Sequence, residues 1–420
     1  MSETALPAQS LAGIRLLDLS RVLAGPWCTQ TLADLGADVI KVEHPVRGDD
    51  TRGWGPPFLR DRDGQETDES AYYLCANRNK RSIGIDLSTA AGQALIRRLA
   101  LQCDVVVENF KVGDMARHGL DAATLRAADP RLVYCSITGF GQSGPYAQRP
   151  GYDFAVQAMG GLMSVTGERD GVPAAGPQKV GVAVADLFTG LYATIAILAA
   201  LRHRDATGQG QQIDMALLDC QVAMLANLGS QYLVGGQMPQ RMGNGHPSIV
   251  PYQVFAVRDG HLVLAIGNDN QFARFCQLAD RPEWAQDVRF QRNADRVRHR
   301  ALLLPQIAEV MATRDRQQWL AALEQAGIPC SPVNSIDEVF ADPQVRARGL
   351  AVSMDHPQAG ALPLVASPLN LSATPVQYRR APPRLGEHAD ELLQEFGLKA
   401  EEIQALRQQQ VISPATPDPQ

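Results

Sequence analysis

The fold is decided by residues 179–204, KVGVAVADLFTGLYATIAILAALRHR. One aspartate, Asp186, precedes an apolar run from Leu187 to Leu201, and the run ends in the basic cluster 202–204. This pattern predicts a buried helix with a carboxylate in its first turn, where free N–H groups and the helix dipole favour an ionised side chain. A basic last turn suits the opposite end. The pattern leaves two interpretations of Asp186 open, a helix cap and a carboxylate nucleophile that attacks an acyl group.

Length and composition limit the classes of protein to consider. The 420 residues are 45% hydrophobic, which is enough to form at least one large core. A chain of this length favours two domains over one. A net charge of −6 argues against a nucleic-acid partner, which needs a concentrated basic surface. The seven cysteines are scattered without a CxxC pair, which argues against a disulfide framework or a zinc site. We therefore predict reduced thiols and no metal site.

The start of the chain and its most apolar segment indicate where in the cell the protein is expected. The start, MSETALPAQS, has neither a basic segment followed by an apolar stretch nor an Arg-rich amphipathic pattern, so no secretory or organellar signal is predicted. The run from Leu187 to Leu201 is shorter than the roughly 18 to 20 apolar residues of a membrane span. We expect a soluble, cytoplasmic protein with no membrane partner.

Strands and helices alternate along the first third of the chain. Residues 14–19 form a predicted strand, 24–26 a turn, 27–35 a helix and 39–43 the next strand. The same alternation predicts strands at 81–86, 104–108 and 131–137 and helices at 89–102 and 122–128. Strands separated by single helices indicate the α/β class with a parallel, doubly wound sheet. Later in the chain, residues 252–266 predict a β-hairpin with Asp259-Gly260 in its turn.

Residues 139–144, GFGQSG, match the GxGxxG pattern of dinucleotide-binding proteins and follow a predicted strand. The next residues are PYAQRP, so no helix N-terminus is available to receive a pyrophosphate. The glycines are more typical of a tight loop near a ligand. The sequence also lacks GxSxG, P-loop and HExxH motifs, which excludes the commonest hydrolase, phosphoryl-transfer and zinc-protease interpretations.

Cationic side chains concentrate in the loops that follow the predicted strands, where open α/β sheets bind ligands. They are His44, Arg47, Arg52, Lys111, Arg117 and Arg149. One interpretation is a phosphate-bearing ligand held by side-chain charge. The other is a set of ordinary surface cations, and the pattern alone leaves both open.

Several motifs occur in order along the chain: RVLAGP at 21–26, LGADVIKVE at 35–43, NRNKRS at 77–82, VENF at 107–110, GFG at 139–141 and LGEH at 385–388. Together they resemble the motifs of the class III CoA-transferases, the formyl-CoA transferase and carnitine-CoA transferase family. Within the family the chain is most similar to the succinyl-CoA–glutarate members. The supporting stretches are 48–58, 248–255 and 267–272.

The resemblance implies an architecture. We expect an α/β fold whose large Rossmann-like domain has an open parallel sheet and is built from residues 1–225, with a connecting helix, and 334–420. A smaller α+β domain is expected between them, at 226–333. The resemblance also implies a homodimer of two interlocked subunits.

The resemblance implies site residues as well. The family's nucleophile matches Asp186. Residues matching the family's CoA contacts are Leu23, Ala24, His44, Ile85, Asp86, Leu87, Ser88, Asn109, Phe110, Lys111, Arg117, Tyr152 and Asp153. No permanently bound cofactor is expected, because the coenzyme A thioester is a substrate.

The implied reaction moves CoA from an acyl-CoA donor, with succinyl-CoA expected, to a free carboxylic acid through an aspartyl-CoA thioester. The expected acceptor is a dicarboxylate such as glutarate, and Arg52 and Arg241 are candidates to bind its distal carboxylate. Formyl-CoA:oxalate-type and carnitine-type transfer remain alternatives. Two departures argue against oxalate: Leu23 stands where formyl-CoA transferase has glutamine, and residues 243–247, GNGHP, replace that enzyme's four glycines.

A 2-methylacyl-CoA racemase and a CoA-binding protein without activity are the rivals from other classes. The racemases of this fold have Gly-His-Asp where this chain has Gly151-Tyr152-Asp153. A tyrosine, with an ordinary pKa near 10, is a poor base at neutral pH. An inactive binding protein is hard to reconcile with an intact Asp186.

Overall fold

The structure, a computed structural model, describes residues 9–173 and 175–415. These residues form two compact units. The first contains the described residues of 1–162, 180–234 and 346–420, and the second contains those of 163–179 and 235–345. The second unit thus begins its main segment at 235 and ends it at 345, compared with the predicted 226 and 333, and it also includes residues 163–179. Residues 163–179 belong to it because the Gly243 N–H donates to the Gly167 carbonyl and the Arg241 Nε donates to the Glu168 carbonyl.

The described strands, in chain order, are β1 Arg15–Asp18, β2 Asp38–Glu43, β3 Phe58–Arg60, β4 Glu66–Ser70, β5 Lys80–Gly84, β6 Val105–Glu108, β7 Val133–Thr138, β8 Gln212–Ala216, β9 Tyr252–Val257, β10 Gly260–Ala265, β11 Cys330–Pro332, β12 Ala351–His356 and β13 Gly360–Val365.

The described α-helices are α1 Ala24–Asp34, α2 Ala71–Leu74, α3 Ala90–Ala100, α4 Asp114–Arg117, α5 Ala122–Ala128, α6 Asp153–Met159, α7 Leu162–Val165, α8 Val184–Thr207, α9 Leu217–Ala223, α10 Ala226–Gly235, α11 Asp269–Leu278, α12 Pro282–Gln286, α13 Asn293–Arg298, α14 Arg300–Met311, α15 Arg316–Gln325, α16 Ile336–Ala341, α17 Pro343–Ala347, α18 Ala389–Glu395 and α19 Ala400–Gln408. A 3₁₀ turn covers Asp50–Gly53.

The first unit is built on a six-stranded sheet of order β5-β2-β1-β6-β7-β8. Every neighbouring pair in this sheet is parallel, which confirms the predicted α/β class and parallel sheet. The chain leaves β1 towards β2 and β5 on one side and later continues from β6 to β8 on the other. The strand order thus reverses between β1 and β6, and ligands of open α/β sheets bind beyond the carboxyl ends of the strands at such a point.

Successive residues of the central strands point to two separate cores. Leu17 and Val106 join a cluster with Leu95 and Leu392, on the side of α3 and α18. Leu16, Val105 and Val107 belong to a second cluster, in which they pack with residues of α1 and α8. Both faces of the sheet are therefore covered by helices, as a parallel sheet requires.

Two helix boundaries differ from the prediction. Residues 24–26, predicted as a turn, form the first turn of α1. Pro26 is tolerated there because the first-turn N–H groups have no partner within the helix. The helix predicted around 187–201 is α8, which begins at Val184 and continues to Thr207.

Helix α8 is longer than the apolar run from which it was predicted. By length and composition it is long enough to cross a membrane, a test that the core helices of soluble proteins also meet. Its residues Ala193, Ile197 and Ala200 are fully buried in the core that includes α1. Packing in the first unit therefore accounts for one face of this apolar helix.

The second unit is α+β. Its antiparallel sheet has the order β11-β10-β9, and α11, α14 and α15 contribute Phe272, Leu303 and Trp319 to the core against it. The predicted hairpin is present as β9 and β10, but its turn is Arg258-Asp259, because Gly260 already pairs with Val257.

Helices α1 and α8 approach each other closely at Gly190, near the start of α8. A Cβ added to Gly190 would lie 2.6 Å from the Ala24 carbonyl oxygen and 3.2 Å from the Trp27 Cβ. The Ala24 carbonyl belongs to the backbone and cannot rotate away. The close approach therefore requires glycine at this position.

We predict that Gly190→Ala destabilises the protein although alanine is the better helix former. The gain in helix propensity is about 1 kcal/mol, whereas overpacking costs about 1–3 kcal/mol. Denaturant unfolding of the variant should therefore show a lower free energy of unfolding. Gly260→Ala is the matched control, because nothing lies within 4 Å of its added Cβ. Equal stability of the Gly190 variant and the wild type would contradict the close contact.

Candidate active site

A cavity of about 190 Å³ lies in the first unit at the carboxyl ends of β1, β6 and β7. Its walls come from the turn at 21–24, the loop at 109–112, the loop at 147–152 and the start of α8. We call this the first cavity. The close approach of Gly139 and Gly151 shapes one wall, because a Cβ on Gly139 would lie 2.5 Å from the Gly151 Cα. No helix follows β7 until Asp153, so the GxGxxG segment forms a loop here, as expected.

A second cavity of about 330 Å³ lies beyond the carboxyl ends of β2 and β5. Its walls come from residues 42–44, 47–50 and 85–88, with Leu19 and Ile96. Arg21, Asp50 and Phe110 line both cavities. The two cavities are therefore adjacent and share part of their walls.

The structure brings most of the predicted site residues to these two cavities. The first cavity is lined by Leu23, Ala24, Asn109, Phe110, Lys111, Tyr152 and Asp186. The second is lined by His44, Ile85, Asp86, Leu87, Ser88 and again Phe110. Their roles in binding remain predictions. The residues are spread over 164 sequence positions, from Leu23 to Asp186, and the fold brings them together at the carboxyl ends of the strands.

Two predicted binding residues lie outside both cavity walls. Arg117 is 73% exposed and forms an ion pair with Asp114, one turn earlier on α4. Asp153 is directed at the start of α8, where its Oδ1 accepts the Ala185 N–H at 2.8 Å and the Asp186 N–H at 3.4 Å. Asp153 thus serves α8 as the acceptor for its first N–H groups.

Asp186 is not a helix cap. The N-cap of α8 is Ala183, which makes no side-chain cap hydrogen bond, and the capping acceptor is Asp153. Among the described residues, no hydrogen bond to the Asp186 carboxylate is found. The carboxylate is half-buried and lines the first cavity. This geometry argues against the helix-cap interpretation, and the role of Asp186 as a nucleophile stays a prediction.

Burial, and then the charge of Asp153, raise the pKa of Asp186 to about 7. The sequence predicts that the helix N-terminus favours the ionised carboxylate, whereas burial in the folded protein opposes ionisation. A helix terminus contributes about 0.3–1 kcal/mol, whereas removal from water shifts the pKa by up to about 3–5 units in fully buried groups. Desolvation is the larger effect, and it makes Asp186 a more basic carboxylate than one in water.

Tyr72 is a neighbour of Asp186 that the sequence analysis missed. Burial, followed by the charge of Asp186, raises the pKa of Tyr72 to about 12. The Tyr72 ring packs edge-on against Trp54, with the ring centroids 5.2 Å apart. The stretch 48–58 contains this tryptophan, but nothing in its local pattern indicates that Trp54 and Tyr72 meet.

The turn before α1 is held in a strained conformation. Val22 has a φ of 69°, which a β-branched residue adopts only when its surroundings enforce it. Its N–H donates to Asp49 Oδ1 at 3.3 Å. The side-chain amide of Asn109 binds the backbone of Arg21 in both directions, accepting from the N–H at 2.9 Å and donating to the carbonyl at 2.7 Å. These contacts direct the start of α1, which has no side-chain cap, to the first cavity.

A buried set of ion pairs lies beneath this turn. Lys41 Nζ donates to Asp49 at 2.8 Å and to the Ser20 carbonyl at 3.1 Å, and Lys80 Nζ pairs with Asp18 at 3.1 Å. All four charged side chains are fully buried. Burial alone would raise the pKa of Asp18, but Lys80 and Lys41 outweigh it and hold the pKa below its usual value.

The candidate role of Arg52 in binding a substrate carboxylate is contradicted. Its guanidinium is 7% exposed, pairs with Glu43 at 2.8 Å and Glu69 at 2.9 Å, and also donates to the Tyr73 hydroxyl and the Pro383 carbonyl. Arg241 lies in the second unit, where it pairs with Asp170.

Among the remaining cations of the strand-end loops, His44 and Arg47 line the second cavity and Lys111 and Arg149 line the first. Among the described residues, no group of three or more His, Cys, Asp or Glu side chains is placed to hold a metal ion.

The sequence model of CoA-transferase family III matches residues 11–389. The chain belongs to this family. It is therefore an enzyme that transfers CoA, and the prediction of a class III CoA-transferase is confirmed.

Relatives of this CoA-transferase have similar length. It is 51% identical over 386 residues to succinate–glutarate CoA-transferase of Agrobacterium fabrum, covering 92% of this chain and 95% of the relative. It is 43% identical over 385 residues to human succinyl-CoA:glutarate CoA-transferase, covering 92% and 85%. A CAIB/BAIF family protein from Brucella suis has a similar crystal structure, with a TM-score of 0.83 and 48% identity over 92% of this chain and 99% of that one.

Because the pKa of Asp186 is raised in the folded state, we predict that the aspartate lowers the free energy of unfolding relative to a neutral side chain at this position. The folded-state pKa is near 7 and the unfolded value near 3.8, so the folded state binds the extra proton and loses stability as pH rises from about 4 to 7. Asp186→Asn should therefore raise the melting temperature, with an advantage that grows over this range and is constant above it.

Thermal unfolding of both proteins from pH 4.5 to 8.5 measures this difference. Asp63→Asn, at an exposed turn position, is the control and should show no such trend. A pH-independent difference between Asp186→Asn and the wild type would contradict the raised pKa.

Proposed function

We propose that this enzyme transfers CoA from succinyl-CoA to a dicarboxylic acid such as glutarate, with Asp186 as the nucleophile that carries first the acyl group and then CoA. The observation that supports it most is the half-buried Asp186 carboxylate, which lines the first cavity and accepts no hydrogen bond from the described residues. The choice of substrates is supported by the two relatives at 51% and 43% identity, which are named as CoA-transferases of succinate or succinyl-CoA and glutarate.

The first half of the proposed reaction exchanges the donor acid for enzyme-bound CoA. A carboxylate oxygen of Asp186 attacks the thioester carbonyl of succinyl-CoA, the carbon–sulfur bond breaks, and CoA leaves as the thiolate. The product is a mixed anhydride of succinate and Asp186. The thiolate then attacks the Asp186 carbonyl carbon, which forms the aspartyl-CoA thioester and releases succinate.

The second half repeats these steps with the acceptor. A carboxylate of glutarate attacks the aspartyl-CoA thioester, the thiolate leaves again, and a glutaryl–aspartyl anhydride remains. The thiolate attacks the glutaryl carbonyl, which forms glutaryl-CoA and restores the Asp186 carboxylate. No water enters, so the energy of the thioester bond is conserved, and no net proton is consumed.

Each attack places negative charge on a carbonyl oxygen, and the structure offers groups that favour it. The uncapped start of α1, with Leu23 and Ala24, faces the first cavity, where free N–H groups favour an oxyanion. The basicity of Asp186 assists in the same step, since a carboxylate with a pKa near 7 is a stronger nucleophile than one with a pKa near 4.

The alternatives from the same fold have less support. The described residues that line the first cavity include Tyr152 but no histidine, so the proton-abstracting base of the racemases has no counterpart there. Leu23 lines the same cavity with an apolar side chain where an oxalate enzyme has an amide. The first observation argues against a racemase, and the second favours transfer to a longer dicarboxylate over transfer to oxalate.

We also propose that the enzyme acts as an interlocked homodimer in the cytoplasm. The interlocked arrangement is the one that the resemblance to the family implies. In its support, α8 leaves Leu191, Tyr192 and Ile195 from 41% to 61% exposed, and contiguous apolar surface of this kind is typical of protein interfaces. The seven cysteines are all unpaired, which fits a reducing compartment.

We predict that Asp186→Ala abolishes CoA transfer while the protein remains folded. The assay follows glutaryl-CoA formed from succinyl-CoA, and circular dichroism checks the fold. Treatment of the wild-type enzyme with hydroxylamine during turnover should leave a hydroxamate on the peptide that contains Asp186, as measured by mass spectrometry. Asp63→Ala, which removes an exposed carboxylate, should retain full activity. Near-normal turnover of Asp186→Ala would show that the nucleophile is wrongly assigned.

A panel of acceptor acids tests the substrate assignment separately. With succinyl-CoA as donor, we expect the highest kcat/KM for dicarboxylates of four to six carbons and much lower values for oxalate and carnitine. The physical reason is the apolar Leu23 wall, which disfavours a second carboxylate close to the first. A preference for oxalate over glutarate would overturn the assignment and leave the role of Asp186 intact.

A further inference from the structure

Arg21 occupies an unusual position between the two cavities. It shares this position with Asp50 and Phe110, the other residues that line both. The other cationic residues of the site line one cavity each: His44 and Arg47 the second, and Lys111 and Arg149 the first. Arg21 is therefore the cationic wall residue that a ligand extending from one cavity to the other must pass.

The backbone of Arg21 is fixed, whereas its side chain is only loosely held. Asn109 binds the Arg21 N–H and carbonyl, so the root of the side chain cannot shift without breaking both bonds. The guanidinium carbon lies 5.2 Å from the centre of the Phe110 ring, and Nη1 lies 3.4 Å from Asp50. The Arg21 and Asp50 side chains are 47% and 50% exposed, so this ion pair contributes little, about 0–1 kcal/mol.

A CoA thioester has the chemistry that matches this position. Its acyl end must reach Asp186 in the first cavity, and its nucleotide end is large enough to require the second. The segment that joins the two ends begins with a diphosphate. A planar guanidinium binds phosphate oxygens in a bidentate manner, and this bond is stronger than a long, exposed pair with a carboxylate.

We propose that Arg21 binds the diphosphate of the CoA thioester by exchanging Asp50 for it, while its guanidinium stays over the Phe110 ring. The inference rests on the proposed function, because it takes the CoA thioester as the ligand. It assigns Arg21 to binding and not to the chemical step. The diphosphate replaces one anionic partner of Arg21 with another, so the guanidinium remains paired in both states.

The experiment measures inhibition by CoA, dephospho-CoA and pantetheine of the wild-type enzyme, Arg21→Gln and Arg21→Lys. CoA and dephospho-CoA contain the diphosphate, and pantetheine does not. Arg21→Gln should weaken both nucleotides about ten- to a hundredfold, the range for a lost hydrogen bond to a charged group, and leave pantetheine unchanged. Arg21→Lys should lose less, because it keeps the charge but not the bidentate geometry. With succinyl-CoA as the substrate, each Arg21 variant should show a larger change in KM than in kcat.

Two further variants complete the test. Asp50→Asn should bind CoA at least as tightly as the wild type, because the competing carboxylate is gone. Arg60→Gln removes a guanidinium that pairs with Glu66 and lines neither cavity, so it should bind all three compounds normally.

Equal weakening of pantetheine would show that Arg21 only supports the fold of the site. Weakening of CoA alone would assign Arg21 to the ribose phosphate and overturn the diphosphate assignment. Unchanged affinity for all three compounds would remove Arg21 from the site. In each case the wild-type enzyme still binds CoA and Asp186→Ala is still inactive, whereas failure of the proposed function would abolish CoA binding or spare the Asp186 variant.

Discussion

The buried ion pairs of Lys41 with Asp49 and of Lys80 with Asp18 are the constraint on which the rest of the site depends. Charges without water are tolerated only when they are paired, and loss of one partner typically costs about 3–5 kcal/mol. Because Asp49 also accepts the Val22 N–H, and Lys41 also binds the Ser20 carbonyl, the pairing fixes the backbone that leads into α1. The strained φ of Val22 persists because its neighbours cannot relax without unpairing a buried charge.

Two opposing effects act on the ionisation of Asp186: the dipole of α8 favours it, and burial with the charge of Asp153 opposes it. The dipole alone therefore does not predict the pKa of Asp186. The N-terminus of α8 favours the ionised carboxylate, but its first N–H groups are taken by Asp153, which adds a second negative charge. Burial is the larger effect, and together with the charge of Asp153 it raises the pKa of Asp186 to about 7. If Asp186 is the nucleophile, as we propose, activity and stability compete at this position, as they commonly do in enzymes.

The local sequence pattern predicted the strands and helices whose burial depends on neighbouring residues. Period-two and apolar runs identified β1, β2 and β6, and the spacing around residues 89–102 identified α3, because burial on a parallel sheet is visible in neighbouring residues. The CoA-binding residues predicted from the family resemblance line at least one of the two cavities, except for Arg117 and Asp153, and their roles in binding stay predictions. Asp153 as the acceptor for α8, Arg52 as a member of a buried network and Tyr72 beside Asp186 were not predictable, because each depends on residues distant in sequence. The Asp186 pKa belongs to the same group, since burial is a property of the whole fold.

The shared wall of the two cavities has a kinetic consequence. In the proposed mechanism the sulfur of CoA is released twice in each cycle, and each time it must attack a carbonyl carbon before CoA dissociates. If the nucleotide end stays bound in one cavity while bonds change in the other, the thiolate remains tethered, and its effective concentration at the reacting carbon far exceeds that of any free thiol. Retention of the carrier by its far end thus allows one acid to depart and another to arrive without loss of the activated group.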